Sequence, residues 1–188
     1  MKQSIGVRPP LPVCPVFLIG TYDKDGKANV MTVAWGGICS SDPLSLMFSM
    51  RPDRYTYEAL MTCSDCTVSI PSADLIVEAD FFGCVSGRAR DKFDATSLTP
   101  VRGEKVNAPY IEECPIVVEC MVTSTVVHGS NVICIAKVVD VKVDERLMDE
   151  KGNANTDVIE FLAYDSISLS YRPVPASCMR AFTMKGEF

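Results

Sequence analysis

Arg51 and Arg54 fall within a segment that also holds Ser49, Asp53 and Thr56. Two guanidiniums and two hydroxyl groups at the start of a helix, where backbone N–H groups lack intrahelical partners, form a donor set suited to a phosphate monoester. The same residues have a plainer use, because Arg51 and Arg54 can pair with Asp53 or Glu58 on a solvated surface. Local chemistry alone leaves these two readings level. A second segment, Asn29 to Gly37, places an Asn, a Thr and the single Trp35 ahead of two glycines. Its alternation reads as a strand with one buried face, and the glycines allow backbone to approach a flat ligand closely.

Other chemistry is weaker or missing. Cys63 and Cys66 form a lone Cys-x-x-Cys without a second pair, between an expected helix and an expected strand. A structural role is the expectation there. The nine cysteines, at 14, 39, 63, 66, 84, 114, 120, 134 and 178, are scattered and partly inside apolar runs, so most are expected to be reduced core residues. One histidine, His128, cannot build a multi-histidine metal site, and no metal ligands are assigned. No Gly-x-x-x-x-Gly-Lys-Ser/Thr loop, Gly-x-Gly-x-x-Gly turn or Gly-x-Ser-x-Gly elbow occurs, which speaks against nucleoside triphosphate binding, a Rossmann dinucleotide site and a hydrolytic triad.

The elements that must position these residues are mostly strands. Cys14 to Tyr22 and Ala28 to Ala34 are apolar runs around an Asp23-Lys24-Asp25-Gly26 turn, which predicts a hairpin. Leu44 to Met50 predicts a third strand, and Asp53 opens a helix of about three turns. Cys66 to Pro71 reads as a strand, and Ser72 as the cap of a helix carrying Leu75, Ile76, Ala79 and Phe82, ended by Gly83 and Gly87. After a looser stretch from Arg88 to Val106, strands are predicted over Ile116 to Val127, Asn131 to Asp144 and Ser166 to Ser170. Strands joined by turns predict a mainly β fold with inserted helices, an antiparallel sheet closing into a barrel.

The 188 residues fit one domain over 1–188, with 47% hydrophobic side chains for a core. A formal net charge of −6, with no basic block, argues against a nucleic-acid partner. No apolar run approaches the ~20 residues needed to span a bilayer, and Pro9, Pro10, Pro12 and Pro15 break up any leader-like stretch. No membrane association and a cytoplasmic location are expected.

In order along the chain, Gly26-Lys27-Ala28-Asn29-Val30-Met31-Thr32, Trp35, Arg54-Tyr55-Thr56-Tyr57, Ile70-Pro71-Ser72-Ala73 and Asp80-Phe81-Phe82-Gly83 resemble the flavin reductase-like, FMN-binding split-barrel family, and within it the flavoredoxins. Ser86-Gly87-Arg88, Asp91-Lys92-Phe93, Leu98-Thr99-Pro100-Val101, Ala108-Pro109-Tyr110 and Glu119-Cys120 continue the series. The resemblance implies a six-stranded antiparallel split barrel that forms a homodimer with FMN near the interface. By position, Asn29, Val30, Met31, Thr32, Val33, Ala34 and Trp35 would face the flavin ring. Ser49, Met50, Arg51, Arg54 and Thr56 would surround the phosphate, with Ser86 and Lys92 beside the same site.

The implied chemistry belongs to N5 of FMN, preferred here to FAD, so no catalytic side chain is assigned. The function expected is electron transfer of the flavoredoxin type, from a reduced donor such as NAD(P)H, acting transiently, to a partner protein or small acceptor. The alternatives are a flavin reductase that releases FMN and a non-catalytic split-barrel binder. One departure stands out: where many relatives carry Gly-Asp-His, this chain has Gly129-Ser130-Asn131, with Ala136 at a common glycine position. An uncharged residue there shifts the expectation toward a carrier with resident FMN.

Overall fold

The computed structural model describes residues 1–175, so Cys178 lies outside the described residues. In chain order the strands are β1 (Cys14–Pro15), β2 (Phe17–Tyr22), β3 (Ala28–Val33), β4 (Gly36–Ser41) and β5 (Leu44–Met50), followed by helix α1 (Tyr55–Thr62). Next come β6 (Asp65–Ile70), a 3-10 turn (Ala73–Leu75), helix α2 (Ile76–Cys84), β7 (Pro100–Arg102) and β8 (Pro109–Ile111). The long hairpin of β9 (Ile116–His128) and β10 (Asn131–Val143) precedes β11 (Phe161–Asp165) and β12 (Ser170–Val174).

The main sheet is antiparallel, in the order β3-β2-β6-β9-β10-β5-β4. It has seven strands where six were expected. Strands β3 and β4 are its two edges, yet only Ala34 and Trp35 separate them in the chain. A sheet whose opposite edges are joined by two residues must curl until those edges meet, and the result is a split barrel. The Ser49 N–H donates to the Trp35 carbonyl at 2.8 Å, tying this link to the end of β5. Among the described residues no helix is long and apolar enough to cross a membrane.

Strands β2 and β3 are apolar on both faces because each separates two cores. Phe17, Ile19, Met31 and Val33 join Phe48, Val68, Cys120 and Cys134 inside the barrel, where Leu60 of α1 also packs. Val16, Leu18 and Val30 face the other way, against Ala79 and Phe82 of α2 and against Phe93, Leu98 and Leu162. Each large side chain moved from water into these cores contributes about 1.5–3 kcal/mol of transfer free energy. The single buried face expected for residues 29–35 is thus corrected: Val30 and Met31 point to opposite sides and both are buried.

Several predicted elements shift. The run from Cys14 to Tyr22 breaks at Val16, and β1 pairs with β11 in a separate three-stranded sheet. Helix α1 has two turns, because residues 51–54 are spent on a turn closed by the Arg54 N–H and the Arg51 carbonyl. Helix α2 runs through Gly83 to Cys84 and ends at Val85; Ser72 caps only the 3-10 turn before it, without a side-chain hydrogen bond. Of the strand predicted over Ser166 to Ser170, residues 166–169 form a turn between β11 and β12, and Ser170 opens β12. There the Asp165 carboxylate accepts from the N–H groups of Ile167 and Ser168, and Leu169 takes a positive φ of 54°. Local side-chain capture of backbone donors overrides the strand-like alternation.

Candidate functional site

A groove follows the free edge of β3 and has two connected parts. The wider part, about 230 Å3, is lined by Met31, Thr32 and Val33 of β3, by Ala34 and Trp35, and by Ser49, Met50 and Arg51 at the end of β5. Asn131, at the start of β10, and Gly83 complete it. The narrower part, about 120 Å3, lies between Asn29, the start of α1 at Arg54 to Thr56, the end of α2 and the segment holding Ser86, Gly87 and Lys92. Met31, Arg54 and Gly83 line both parts.

The local sequence explains how each side chain is presented. Residues at the edge of β3 have no neighbouring strand to cover them, so Thr32 and Trp35 stay partly open while Asn29 is buried against α1. The Asn29 amide donates to the Thr56 hydroxyl at 2.9 Å, leaving the Thr56 proton free for an acceptor in the narrow part. Asn29 Oδ1 is buried and has no hydrogen-bond partner among the described residues. The Thr32 hydroxyl is engaged with the Ala79 carbonyl of α2, so it is not a spare donor toward the groove. Asn131 donates from its amide to Ser49 Oγ at 3.0 Å, which fixes the orientation of both.

The cations divide by role. Arg51 pairs with Asp53 at 3.2 Å, both largely exposed, as the plain surface reading had it. Arg54 makes no side-chain bond among the described residues, and Glu58 is taken by Arg88 at 2.5 Å. Arg54 also caps α1 without a side-chain cap bond, leaving first-turn amides for another acceptor. Lys92 is 4% exposed and donates from Nζ to the carbonyls of Val30, at 2.6 Å, and Phe82, at 2.8 Å. Burial, with help from the nearby Arg54 charge, lowers the Lys92 pKa to about 8. Three donors on Nζ against two carbonyls leave one for the pocket that Lys92 lines. An acceptor-only, anionic group is what such a set can bind.

All fourteen residues singled out from the sequence are therefore placed. Val30 stands apart: its side chain packs in the second core and its carbonyl anchors Lys92. Ser49 and Arg51 line the wider part with Asn131, whereas Thr56, Ser86 and Lys92 line the narrow one, with Arg54 reaching both. Tyr55, Val85 and Gly87 were not foreseen as lining residues. Gly87 is required by close packing: a Cβ there would sit 2.3 Å from Asn29 Oδ1 and 2.8 Å from Tyr55 Cδ1. That contact joins distant parts of the chain, and only the Ser86-Gly87-Arg88 match in sequence order hinted at it. His128 ends β9, exposed and outside the groove lining.

The cysteines take core positions for the most part. Cys14, Cys66, Cys114, Cys120 and Cys134 are buried, Cys63 is partly buried, and Cys39 and Cys84 are exposed. Cys66 lies opposite Cys120 across the β6–β9 ladder, and burial pushes its thiol pKa well up. A thiol so protonated is a poor nucleophile.

A split barrel with an anion-adapted groove along its open seam defines a class of flavin-reductase-like proteins, and the chain belongs to one family of it. That family, described as flavin reductase like domain, matches residues 13–164. The chain is similar to the flavoredoxin of Desulfovibrio vulgaris (Miyazaki F), with 37% identity, a TM-score of 0.92, and coverage of 97% of this chain and 98% of that one. It is also similar to the flavoredoxin of Methanosarcina acetivorans, with 25% identity, a TM-score of 0.88, and coverage of 97% and 96%. The fold is shared with an FMN-binding protein from Thermus thermophilus, at 22% identity, a TM-score of 0.79, and coverage of 95% and 99%.

Proposed function

We propose that this protein holds FMN in the groove and acts as a redox flavoprotein of the flavoredoxin type, passing electrons from a reduced donor to a partner protein or small acceptor. The observation that carries the reading is the division of the groove: a wide part beside Trp35 and the β3 edge, continuous with a narrow part where Arg54, Thr56 and Lys92 converge. A flat ring and a phosphate monoester differ in the same way. Two flavoredoxins among the similar structures, and a fold shared with the FMN-binding protein from Thermus thermophilus, support the choice of ligand.

The residues fit that group. Arg54, Thr56 and Lys92 supply charged and neutral donors at one end, and Ser86 lies beside them. Met31, Val33, Ala34 and Trp35 give the other end an apolar wall, with Ser49 and Asn131 as the polar groups near the rim. When bound, FMN supplies one- and two-electron redox chemistry at its N5. The protein's own share is to bind, orient and shield: Lys92 ties β3 to α2, Asn29 ties β3 to α1, and Asn131 presents an amide that cannot change charge.

A homodimer is part of this reading. Trp35, Ile38, Leu44, Val126 and Val127 are exposed apolar side chains on β4, its flanks and the tip of the β9–β10 hairpin. A second copy of the chain would cover them and shelter the wide part of the groove. A visible spectrum of freshly desalted protein tests the proposal. Release of FMN by heat in about equal molar amount supports a resident-cofactor carrier, and NAD(P)H is then assayed as its donor. Weak, reversible uptake would assign a reductase that treats FMN as a substrate, and protein that takes up no flavin would leave a binder of another kind.

A further inference from the structure

Ser49 lies near the end of β5 with its side chain outside the barrel, because its neighbours Phe48 and Met50 fill the interior. Its hydroxyl oxygen accepts from the Asn131 amide at 3.0 Å, and Asn131 Oδ1 in turn accepts from the Ser130 hydroxyl at 3.1 Å. The two bonds agree on which way the amide faces, so Ser130, Asn131 and Ser49 form a row in which each side chain donates to the next. A hydroxyl that has accepted one bond keeps its own proton to give. Among the described residues the Ser49 hydroxyl has no other partner, and both Ser49 and Asn131 line the wide part of the groove. The row is not needed to hold the strands, since β5 and β10 are already laddered from Met50 and Val132 to Ser45 and Lys137.

We propose that Ser49 offers this proton, as a hydrogen bond, to an acceptor on the polar edge of the flavin ring, and that Asn131 is the positioning residue that turns it there. This rests on the reading of the groove as an FMN site. The carbonyl oxygens of that edge gain negative charge when the ring is reduced, so a donor held toward them favours the reduced form over the oxidised one. Two hydroxyls line the wide part, and that of Thr32 is already committed to the Ala79 carbonyl, which leaves Ser49 as the hydroxyl with a proton to give. The direction of the row is what matters. Without the Asn131 amide the Ser49 hydroxyl rotates freely and donates to water as readily as to the ring. None of the three side chains carries a charge, so the bias comes from hydrogen-bond polarity and needs no buried ion.

The test is the midpoint potential of the FMN-loaded protein against that of free FMN, which gives the ratio of affinities for reduced and oxidised flavin. It is measured for the native chain, Ser49→Ala, Ser49→Thr, Asn131→Ala and the double variant Ser49→Ala with Asn131→Ala. Ser49→Ala should lower the ratio by about fivefold, the size of one neutral hydrogen bond, and Ser49→Thr, which keeps a hydroxyl, should restore most of it. Asn131→Ala should lower the ratio by a smaller factor, and the double variant should fall no further than Ser49→Ala alone, because Asn131 acts through Ser49. A ratio unmoved by Ser49→Ala overturns the proposal. So does a double variant whose loss is the product of the two single losses, since Asn131 would then act on its own. If the native chain binds no FMN, the FMN reading itself fails; if it binds FMN and the ratio stays fixed, only the role of the row fails. Should Asn131→Ala not fold, the contrast between Ser49→Ala and Ser49→Thr decides whether the hydroxyl is the donor.

Discussion

The amide of Asn29 donates to the hydroxyl of Thr56 across 2.9 Å, with both side chains buried, and this one bond joins the edge strand of the barrel to the first turn of α1. Thr56→Val keeps the shape and leaves the amide without its acceptor. Such a loss costs about 1–3 kcal/mol of folding stability. Urea denaturation measures it, and Thr56→Ser should recover most of the difference. An unaltered midpoint in the valine variant would show that the bond is not made in solution.

Arg54 and Arg51 are expected to part company in binding assays. Arg54 has no competing side-chain partner among the described residues, so Arg54→Ala should weaken FMN binding by about 1.5–3 kcal/mol. Arg51 already pairs with Asp53 in the open, and its replacement by Ala should cost under about 1 kcal/mol. Equal losses in fluorescence titrations would mean that the phosphate lies between the two parts of the groove and not in the narrow one.

Lys92 makes binding depend on pH. Its pKa is lowered from 10.5 to about 8 by burial first and by Arg54 second. Between those values the unfolded chain keeps a proton that the folded chain has released, so this group makes stability rise with pH from about 8 to 10.5; below about 8 its cost is full and constant. A phosphate arriving beside it favours the charged form. FMN affinity should therefore fall as pH rises through about 8, with proton uptake on binding detectable by calorimetry in buffers of different ionisation enthalpy. Lys92→Met should remove both effects.

Thiol reagents should sort the cysteines by burial. Cys39 and Cys84 are expected to react in the native protein and Cys63 more slowly. Cys14, Cys66, Cys114, Cys120 and Cys134 should wait for unfolding, since burial raises the Cys120 pKa to about 12 and that of Cys134 to about 11. Cys63→Ser should leave flavin reduction intact. Rapid native labelling of Cys66, mapped by mass spectrometry, would contradict its place in the barrel core.

The parts of the fold legible in the sequence are those where local pattern and tertiary environment agree. The β2–β3 hairpin has apolar runs around a turn whose Asp23 carboxylate caps Asp25 and Lys27, and the β9–β10 hairpin closes on Gly129 at positive φ. Strand β4 was invisible because Gly36-Gly37 and Ser40-Ser41 have little strand preference; it forms by pairing with β5. The donor-rich segment around Arg54 could be recognised because its chemistry is contiguous. Its partners could not: Asn29, Gly87 and Lys92 meet Thr56 and Arg54 only when the barrel closes, and no spacing records that. The apolar character of β2 likewise hid which of two cores each side chain serves.

The two sheet edges joined through Ala34 and Trp35 have a mechanical consequence. A hoop of strands laced everywhere except along one line bears its load through six ladders, and the groove runs along the β3 side of that unlaced line. A flat occupant wedged between the β3 edge and the end of β5 then works as a keystone, carrying strain from one lip to the other. Filling the groove should slow amide exchange along β3 and β5 while leaving the far wall, at β6 and β9, as rigid as before. In this molecule, how firmly the ligand is gripped and how far the barrel can breathe are one and the same property.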